Sequence, residues 1–227
     1  MLPDDEVAGL KRSLQKIYPI TDNELSGLSI VEQVRQFING GATLLQIREK
    51  KAASDQFFSA VSEAIKIAHR SDVAIIINDR VDIALMTGAD GVHLGQEDMP
   101  VSAARRILGD DAIIGISTHS EEQVRQALAH GGADYIAFGP IFGTSTKVDH
   151  DPPVGLEALT NARKLIASRC PLVAIGGING DNLASVITAG ADSAAMISEF
   201  YGAEHEISFQ FEALLRAAQS NNTVLKS

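Results

Sequence analysis

The sequence predicts an α/β fold: one (β/α)8 TIM barrel, formed by a single domain that spans residues 1–227. Eight short apolar runs alternate with amphipathic stretches, and the tripeptide Gly-Ala-Asp recurs just before three of these runs. Near-continuous apolar strands that alternate with helices are typical of a parallel sheet covered on its outer face. Eight such units within 227 residues favour a closed barrel, because this fold usually needs about 250 residues.

The eight predicted strands cover residues 18–21, 43–47, 73–77, 91–94, 112–116, 135–138, 172–175 and 193–197. Amphipathic stretches such as 54–69, 121–129 and 156–167 lie between them and predict helices. The Gly-Ala-Asp repeats occupy 88–90, 132–134 and 190–192, where glycine suits the left-handed residue that ends a helix. We expect Asp90, Asp134 and Asp192 to lie on the face of the barrel that carries stability, without a catalytic role.

Composition and charge narrow the class of protein. The formal net charge of −10 argues against a nucleic-acid or anionic-membrane surface, so small-molecule substrates are the expected partners, with a homo-oligomer left open. No apolar run approaches the roughly 18 residues that span a membrane, and the first residues lack a secretory pattern, which predicts a cytoplasmic location. We expect the single cysteine, Cys170, to be buried and the tail, 221–227, to be disordered.

Three polar side chains occupy alternating positions at the end of the second predicted strand. Gln46, Arg48 and Lys50 would point the same way in an extended chain, at the end of the strand that faces the barrel mouth. Arginine offers a fork of donors for phosphate oxygens, and lysine offers a point charge. The alternative is a solvated strand end at which Glu49 pairs with either cation.

Carboxylates follow the third and fourth predicted strands. Asp79 comes directly after Asn78, and Asp98 lies shortly after His93. Neighbouring parallel strands would bring Asp79 and Asp98 together, and two carboxylates with open coordination positions suit Mg²⁺. The alternative is that each aspartate caps the following helix. His93 could equally be a packed, hydrogen-bonded histidine, and we do not predict it as a metal ligand.

Two further segments suggest anion binding. The loop at 139–153 is long for a βα connection and contains three hydroxyls and a lysine, although such a loop can also be an ordinary polar surface. Glycines follow the seventh strand and Ile197-Ser198 follows the eighth, where barrels commonly hold a phosphate through backbone N–H groups. The loop residues are Thr144, Ser145, Thr146 and Lys147, and the glycines are Gly176 and Gly177.

The two anion sites differ in charge. One gathers Arg48, Lys50, Lys147 and the predicted metal, whereas the other relies on neutral backbone N–H groups. That difference suggests a diphosphate substrate facing a monophosphate substrate, and a transfer reaction that releases diphosphate. We find no Ser-His-Asp arrangement and no strong nucleophile motif.

Five blocks of sequence, in order, resemble the thiamine-phosphate synthase family. They are LLQIREK at 44–50, INDRVDIALMTGADGVHLGQEDMP at 77–100, GISTHS at 115–120, ADYIAFGPIFGTSTK at 133–147 and VAIGGI at 173–178. The resemblance extends from the Tyr-Pro-Ile-Thr-Asp segment at 18–22 to Ser198 and so covers nearly the whole chain.

The resemblance implies a reaction and roles for the residues. 4-Amino-2-methyl-5-pyrimidinylmethyl diphosphate joins 4-methyl-5-(2-phosphoethyl)thiazole, normally carboxylated, to give thiamine phosphate and diphosphate through a dissociative transfer. By the family pattern, Asp79 and Asp98 bind Mg²⁺ as the cofactor. The catalytic residues implied by the same pattern are Arg48, Lys50, Ser117 and Lys147. The residues implied for the pyrimidine diphosphate are Gln46, Ile47, Arg48, Glu49, Lys50, Asn78, Ser117 and Lys147. Those implied for the thiazole phosphate are Thr144, Ser145, Thr146, Gly177, Ile197 and Ser198.

Two positions depart from the family pattern, and two other functions compete. Gly143 stands where the family usually has proline, which should loosen the loop, and Glu199 stands where alanine is more usual. A glutamate turned inward would repel phosphate, so we expect Glu199 to point out. The competing functions are an isomerase similar to the thiazole tautomerases and a non-catalytic barrel that binds phosphorylated ligands.

Overall fold

A computed structural model describes residues 14–143, 152–201 and 206–224, and within them strands and helices alternate. The strands are β1 (Ile17–Pro19), β2 (Leu44–Ile47), β3 (Ala74–Asn78), β4 (Gly91–Leu94), β5 (Ile113–Thr118), β6 (Tyr135–Phe138), β7 (Leu172–Ile175) and β8 (Ser193–Met196). The helices are α1 (Asn23–Ser26), α2 (Ile30–Asn39), α3 (Ser54–His69), α4 (Val81–Thr87), α5 (Val101–Leu108), α6 (Glu121–His130), α7 (Gly155–Ile166), α8 (Leu183–Thr188) and α9 (Ile207–Val224). All eight predicted strands are present: β4, β6 and β7 have the predicted bounds, and the bounds of the other five are shifted by one or two residues.

The strands form one parallel sheet that closes on itself. Their order is β1-β8-β7-β6-β5-β4-β3-β2, and each neighbouring pair is parallel. Between β1 and β2 a parallel bridge joins Ile20 to Gln46, and the N–H of Thr21 donates to the Gln46 carbonyl over 2.9 Å. The predicted (β/α)8 barrel is therefore confirmed.

Alternating side chains along the strands build two hydrophobic layers. One parity faces the helices, as Leu45 and Ile47 do on β2, and the other fills the barrel interior, as Leu44 does. Tyr18 and Tyr135 are the largest side chains of the interior layer, and both are fully buried. Burial of each large apolar side chain contributes about 1.5–3 kcal/mol to folding.

The aspartates of the Gly-Ala-Asp repeat join neighbouring strands. The Asp90 carboxylate accepts the N–H of Ile75 over 2.7 Å, so the residue before β4 holds the beginning of β3. The same bond recurs from Asp134 to Ile114 and from Asp192 to Leu172, at 2.6 and 2.8 Å. Each carboxylate also pairs with a basic residue of the helix before the held strand. These partners are His69, Arg105 and Arg163.

The three aspartates lie at the amino ends of the strands, away from the cavity described below. Their bonds satisfy backbone donors that would otherwise be lost at the start of a strand. This arrangement agrees with the structural role expected for them.

Two other expectations concern the periphery. Cys170 is buried, and burial raises the pKa of its thiol to about 11, as expected for a structural cysteine. Helix α9 continues through Val224, so it includes the first four residues of the expected disordered tail, while 225–227 lie outside the described residues. Within the described chain, we find no helix with the length and apolar character needed to cross a bilayer.

Candidate active site

A cavity of about 680 Å³ opens where the strands end. Its walls come from the segments after all eight strands, which is where barrel enzymes place their chemistry. Most of the site residues predicted from the sequence line it. They are Gln46, Arg48, Lys50, Asn78, Asp79, Asp98, Ser117, Gly177, Ile197 and Ser198.

Two residues implied by the resemblance turn away from the cavity. The side chain of Ile47 is fully buried in the layer between strands and helices. The Glu49 carboxylate accepts from the Asn23 amide over 2.7 Å and from the N–H of Lys51 over 2.7 Å. The structure therefore gives both side chains a structural place and does not support substrate contacts by them.

Four implied site residues lie outside the described residues. They are Thr144, Ser145, Thr146 and Lys147. Gly143 directly precedes them, and a Cβ at that position would meet no atom within 4 Å, so nothing in the described structure requires glycine there.

The loops after β1 and β2 are joined by three polar pairs. These pairs are Asp22 with Arg48, Asn23 with Glu49 and Glu24 with Lys51, at 2.8, 2.7 and 2.5 Å. The suggestion that Glu49 pairs with Arg48 or Lys50 is therefore wrong, because Arg48 pairs with Asp22 and Lys50 with Asp79. Lys50 instead contacts the loop after β3 through its ion pair with Asp79.

Asp22 was not predicted as a site residue, yet every polar atom of it is engaged. One carboxylate oxygen accepts from Arg48, and the other accepts the N–H groups of Glu24 and Leu25 and so caps α1. Its side chain is only 8% exposed, which makes the ion pair with Arg48 well shielded from water. The Tyr-Pro-Ile-Thr-Asp segment noted in the sequence ends at this residue.

Asp79 and Asp98 meet between the loops after β3 and β4. Asp79 has φ 62, a conformation that is uncommon for a residue other than glycine and that recurs at functional sites. The pKa of the Asp98 carboxyl is raised by burial and, in addition, by its hydrogen bond and charge contact with Asp79. Neither aspartate caps a helix: the N-cap residues of α4 and α5 are Arg80 and Pro100. The helix-cap alternative is therefore wrong for both.

The two carboxylates fit a divalent cation. Both are hard oxygen donors on the cavity wall, and their proximity creates a like-charge contact that a cation would relieve. Lys50 already forms an ion pair with Asp79 and supplies one positive charge at this point. Among the described residues no group of three or more acidic, histidine or cysteine side chains is arranged so that it could hold a metal ion. A pair of carboxylates is what Mg²⁺ commonly uses when substrate phosphate supplies other ligands.

A line of polar side chains crosses the barrel below the cavity. His93 lies between Tyr135 and Ser117, with its ring nitrogens 2.9 and 2.8 Å from their oxygens. Burial lowers the pKa of His93 from 6.5 to about 4, so the ring is neutral at pH 7. Of the two interpretations left open for His93, the packed, hydrogen-bonded histidine is therefore the one that the structure supports.

A glycine makes room for this line. A Cβ at position 115 would lie 2.1 Å from the ring of Tyr135 and 2.5 Å from Nδ1 of His93. Position 115 must therefore be glycine if both rings are to share the interior. Neither Tyr18 nor Tyr135 was predicted as part of the site, because an aromatic residue in an apolar run is ordinarily read as core.

The glycines after β7 allow two loops to pack closely. The N–H of Phe142 donates to the Gly176 carbonyl over 3.0 Å, and a Cβ at position 177 would lie 2.4 Å from the Gly143 carbonyl oxygen. Gly177 has φ 63, which also favours glycine. The close approach in this structure is thus between the loops after β7 and β6, at the wall of the cavity.

Glu199 turns toward the loop after β7. Its carboxylate accepts the N–H of Gly180 over 3.0 Å, and the residue is not among those that line the cavity. The expectation that Glu199 avoids the phosphate side agrees with this position.

Several cavity residues were not predicted. His119 lies in the GISTHS block, and its Nδ1 donates to the Gly139 carbonyl over 2.6 Å. Gln96 donates to the Ser117 carbonyl, and Gln123 accepts the N–H of His119. The polar character of the segments after β4 and β5 was the available signal for these residues.

These features define a class: a (β/α)8-barrel protein with cationic and paired carboxylate groups on one side of its mouth and a glycine loop on the other. A sequence model of the family described as thiamine monophosphate synthase matches residues 17–200. The chain belongs to this family.

Comparisons with individual relatives agree with this family assignment. The chain is 46% identical to the thiamine-phosphate synthase of Clostridium novyi over 184 residues, which is 81% of this chain and 89% of the relative. It is 44% identical to that of Syntrophomonas wolfei, covering 82% and 88%. Among solved structures, thiamine phosphate pyrophosphorylase from Pyrococcus furiosus superposes with a TM-score of 0.82 at 36% identity, over 93% of this chain and 98% of that one.

Proposed function

We propose that this protein is a thiamine-phosphate synthase, a transferase that joins a pyrimidinylmethyl diphosphate to a thiazole phosphate and releases diphosphate. The observation that carries the proposal is that one cavity is lined by five of the predicted diphosphate residues and also by Gly177, Ile197 and Ser198. The five are Gln46, Arg48, Lys50, Asn78 and Ser117. Membership of the family and the names of its relatives support the same activity.

The cationic side of the cavity is suited to a leaving diphosphate. Arg48, whose guanidinium is fixed by Asp22, and Lys50 at the edge of the carboxylate pair would hold the negative charge that grows as the bond breaks. Lys147, by the family pattern, would add a third cation. In a dissociative reaction the aminopyrimidine ring stabilises the carbocation, so the protein has to neutralise diphosphate and to place the thiazole nitrogen.

We propose Asp79 and Asp98 as the residues that hold Mg²⁺. When bound, the metal would supply positive charge to the diphosphate oxygens. Gln46 and Asn78 would hold the rest of the pyrimidine substrate, and Ser117 would donate to it. Gly177, Ile197 and Ser198, together with Thr144, Ser145 and Thr146, would hold the thiazole phosphate.

Neither of the two competing functions would need all the features of this site. A thiazole tautomerase would need neither the paired carboxylates nor the diphosphate cations, and both are present at the mouth of this barrel. A non-catalytic binding barrel would not need the strained backbone of Asp79. The cytoplasmic location and any oligomeric state stay predictions from the sequence.

The experiment is an assay with both substrates. Purified protein is incubated with the two substrates and Mg²⁺, thiamine phosphate is oxidised to fluorescent thiochrome, and diphosphate is measured in parallel. Equal amounts of the two products, lost on chelation and in the Lys147→Ala variant, are expected. Isomerised thiazole without diphosphate would indicate the tautomerase. Tight binding of both substrates by folded protein without turnover would indicate the binding barrel.

A further inference from the structure

Five polar side chains form a continuous chain of hydrogen bonds across the barrel interior. Gln46, His93 and Ser117 line the cavity, whereas Tyr18 and Tyr135 lie deeper, and all of the five except Ser117 are buried. The contacts run Gln46 Nε2 to Tyr18 OH at 3.2 Å, Tyr18 OH to Tyr135 OH at 3.1 Å, Tyr135 OH to His93 Nδ1 at 2.9 Å and His93 Nε2 to Ser117 Oγ at 2.8 Å.

The donor and the acceptor of each hydrogen bond in this series can be assigned by starting from Gln46. The amide nitrogen of Gln46 can only donate, so among the contacts of the buried Tyr18 hydroxyl only the oxygen of Tyr135 can accept its hydrogen. With that contact supplied by Tyr18, the hydroxyl hydrogen of Tyr135 has Nδ1 of His93 as its acceptor. A nitrogen that accepts a hydrogen bond carries no hydrogen, so the ring must carry its hydrogen on Nε2.

We propose that His93 is a positioning residue whose Nε2–H donates to Ser117 Oγ and thereby turns the hydroxyl hydrogen of Ser117 into the cavity. Ser117 would then meet a ligand as a hydrogen-bond donor. A donor suits the anionic oxygens of a diphosphate, and this choice of ligand rests on the proposed function. The reverse order of hydrogens would leave Ser117 only lone pairs to offer, which an anion would repel.

The surroundings of His93 hold this arrangement in place. The residue is 6% exposed, its two ring nitrogens hydrogen-bond to hydroxyls, and burial lowers its pKa to about 4 although the charge of Asp98 acts in the opposite direction. Its ring stacks on that of Tyr135 with centroids 5.5 Å apart, which fixes the ring plane. Burial raises the pKa of Tyr18 to about 12 and that of Tyr135 well above 10, so both hydroxyls keep their hydrogens at neutral pH.

The first test reads the tautomer directly in the resting protein. A long-range ¹H–¹⁵N correlation spectrum of ¹⁵N-histidine-labelled protein at pH 7 distinguishes a hydrogen on Nε2 from one on Nδ1. His93 is assigned as the ring whose signals move most in Ser117→Ala. The Nε2–H tautomer is the expected result. An Nδ1–H tautomer, an even mixture or a doubly protonated ring would overturn the proposal, whatever the assay of the proposed function gives.

The second test separates positioning from packing. In His93→Gln the new amide can still donate to Ser117, whereas in His93→Asn the shorter side chain can reach only toward Tyr135. We expect kcat/KM for the pyrimidine diphosphate to be about 10-fold lower in His93→Asn than in His93→Gln. In the Ser117→Ala background this difference should vanish. A 10-fold difference that persists without the Ser117 hydroxyl would assign His93 to packing alone.

If the unmodified protein makes no thiamine phosphate, the proposed function fails while the tautomer measurement still decides this inference. If the protein is active and His93 carries its hydrogen on Nδ1, the inference fails and the proposed function stands.

Discussion

Nη1 of Arg48 donates to the carboxylate of Asp22 over 2.8 Å, across the loops that follow β1 and β2. The arginine side chain is 21% exposed toward the cavity, while the aspartate is almost entirely shielded. Because the other Asp22 oxygen caps α1, the guanidinium is tied to a fixed point of the barrel. The position of Arg48 is therefore set before any substrate arrives.

Arg48→Ala should lower kcat by about 100-fold or more, because one preorganised positive charge on the leaving diphosphate is lost. The structure also predicts a loss of about 1–3 kcal/mol in the free energy of unfolding, because the shielded Asp22 carboxylate loses its ion-pair partner.

Adding Asp22→Asn to Arg48→Ala should restore much of that stability, since asparagine still caps α1. Urea unfolding and steady-state kinetics on both variants check the pair of effects. An unchanged kcat in Arg48→Ala would remove the arginine from the chemistry.

Asp79→Asn should raise the Mg²⁺ concentration needed for half-maximal activity by more than about 10-fold, because one of two charged ligands becomes neutral. It also removes the ion partner of Lys50. A Mg²⁺ titration of activity, with Glu97→Gln as a control on the same cavity wall, measures the shift. Superimposable titrations for Asp79→Asn and the unmodified protein would place the metal elsewhere.

Asp90→Ala should lower stability by about 1–3 kcal/mol and leave the activity of the folded protein unchanged. The reason is the lost bond to the Ile75 N–H at the start of β3, far from the cavity. Urea unfolding followed by circular dichroism gives the stability, and Asp110→Ala, on an exposed aspartate, is the control. A large loss of activity at full stability would show that the repeat aspartates have a functional role.

Acid should destabilise the protein partly through His93. Its pKa in the folded protein is about 4, against an ordinary 6.5, so between these values the unfolded chain binds a proton that the folded protein does not. The stabilising contribution is complete above pH 6.5 and is lost as the pH falls toward 4, by at most about 1.4 kcal/mol per pH unit.

In His93→Gln, the free energy of unfolding should therefore decrease less between pH 7 and pH 5 than it does in the unmodified protein. His130→Gln, which changes an exposed histidine, should leave the fall as it is. Equal pH slopes for all three proteins would show that His93 does not keep its neutral form in the fold.

The sequence by itself determined the barrel fold and the charged residues at the mouth of the barrel. The eight strands could be predicted because each is a short apolar run whose burial is a local property, and Gly-Ala-Asp marked the joints between helices and strands. The cationic group of β2 and the carboxylates after β3 and β4 could be placed at the mouth, because parallel strands all end on the same side.

Only the tertiary structure decided which of these groups meet and how. The pairing of Asp22 with Arg48, the direction of Glu49 and the contact of Asp79 with Asp98 depend on side-chain directions and loop conformations that no local pattern encodes. The hydrogen bonds through His93 join residues that are far apart in the sequence. Tyr18 and Tyr135 are separated by 117 positions, and His93 and Tyr135 by 42. An apolar run containing a tyrosine looks like core until closure of the barrel brings a second hydroxyl within hydrogen-bonding distance.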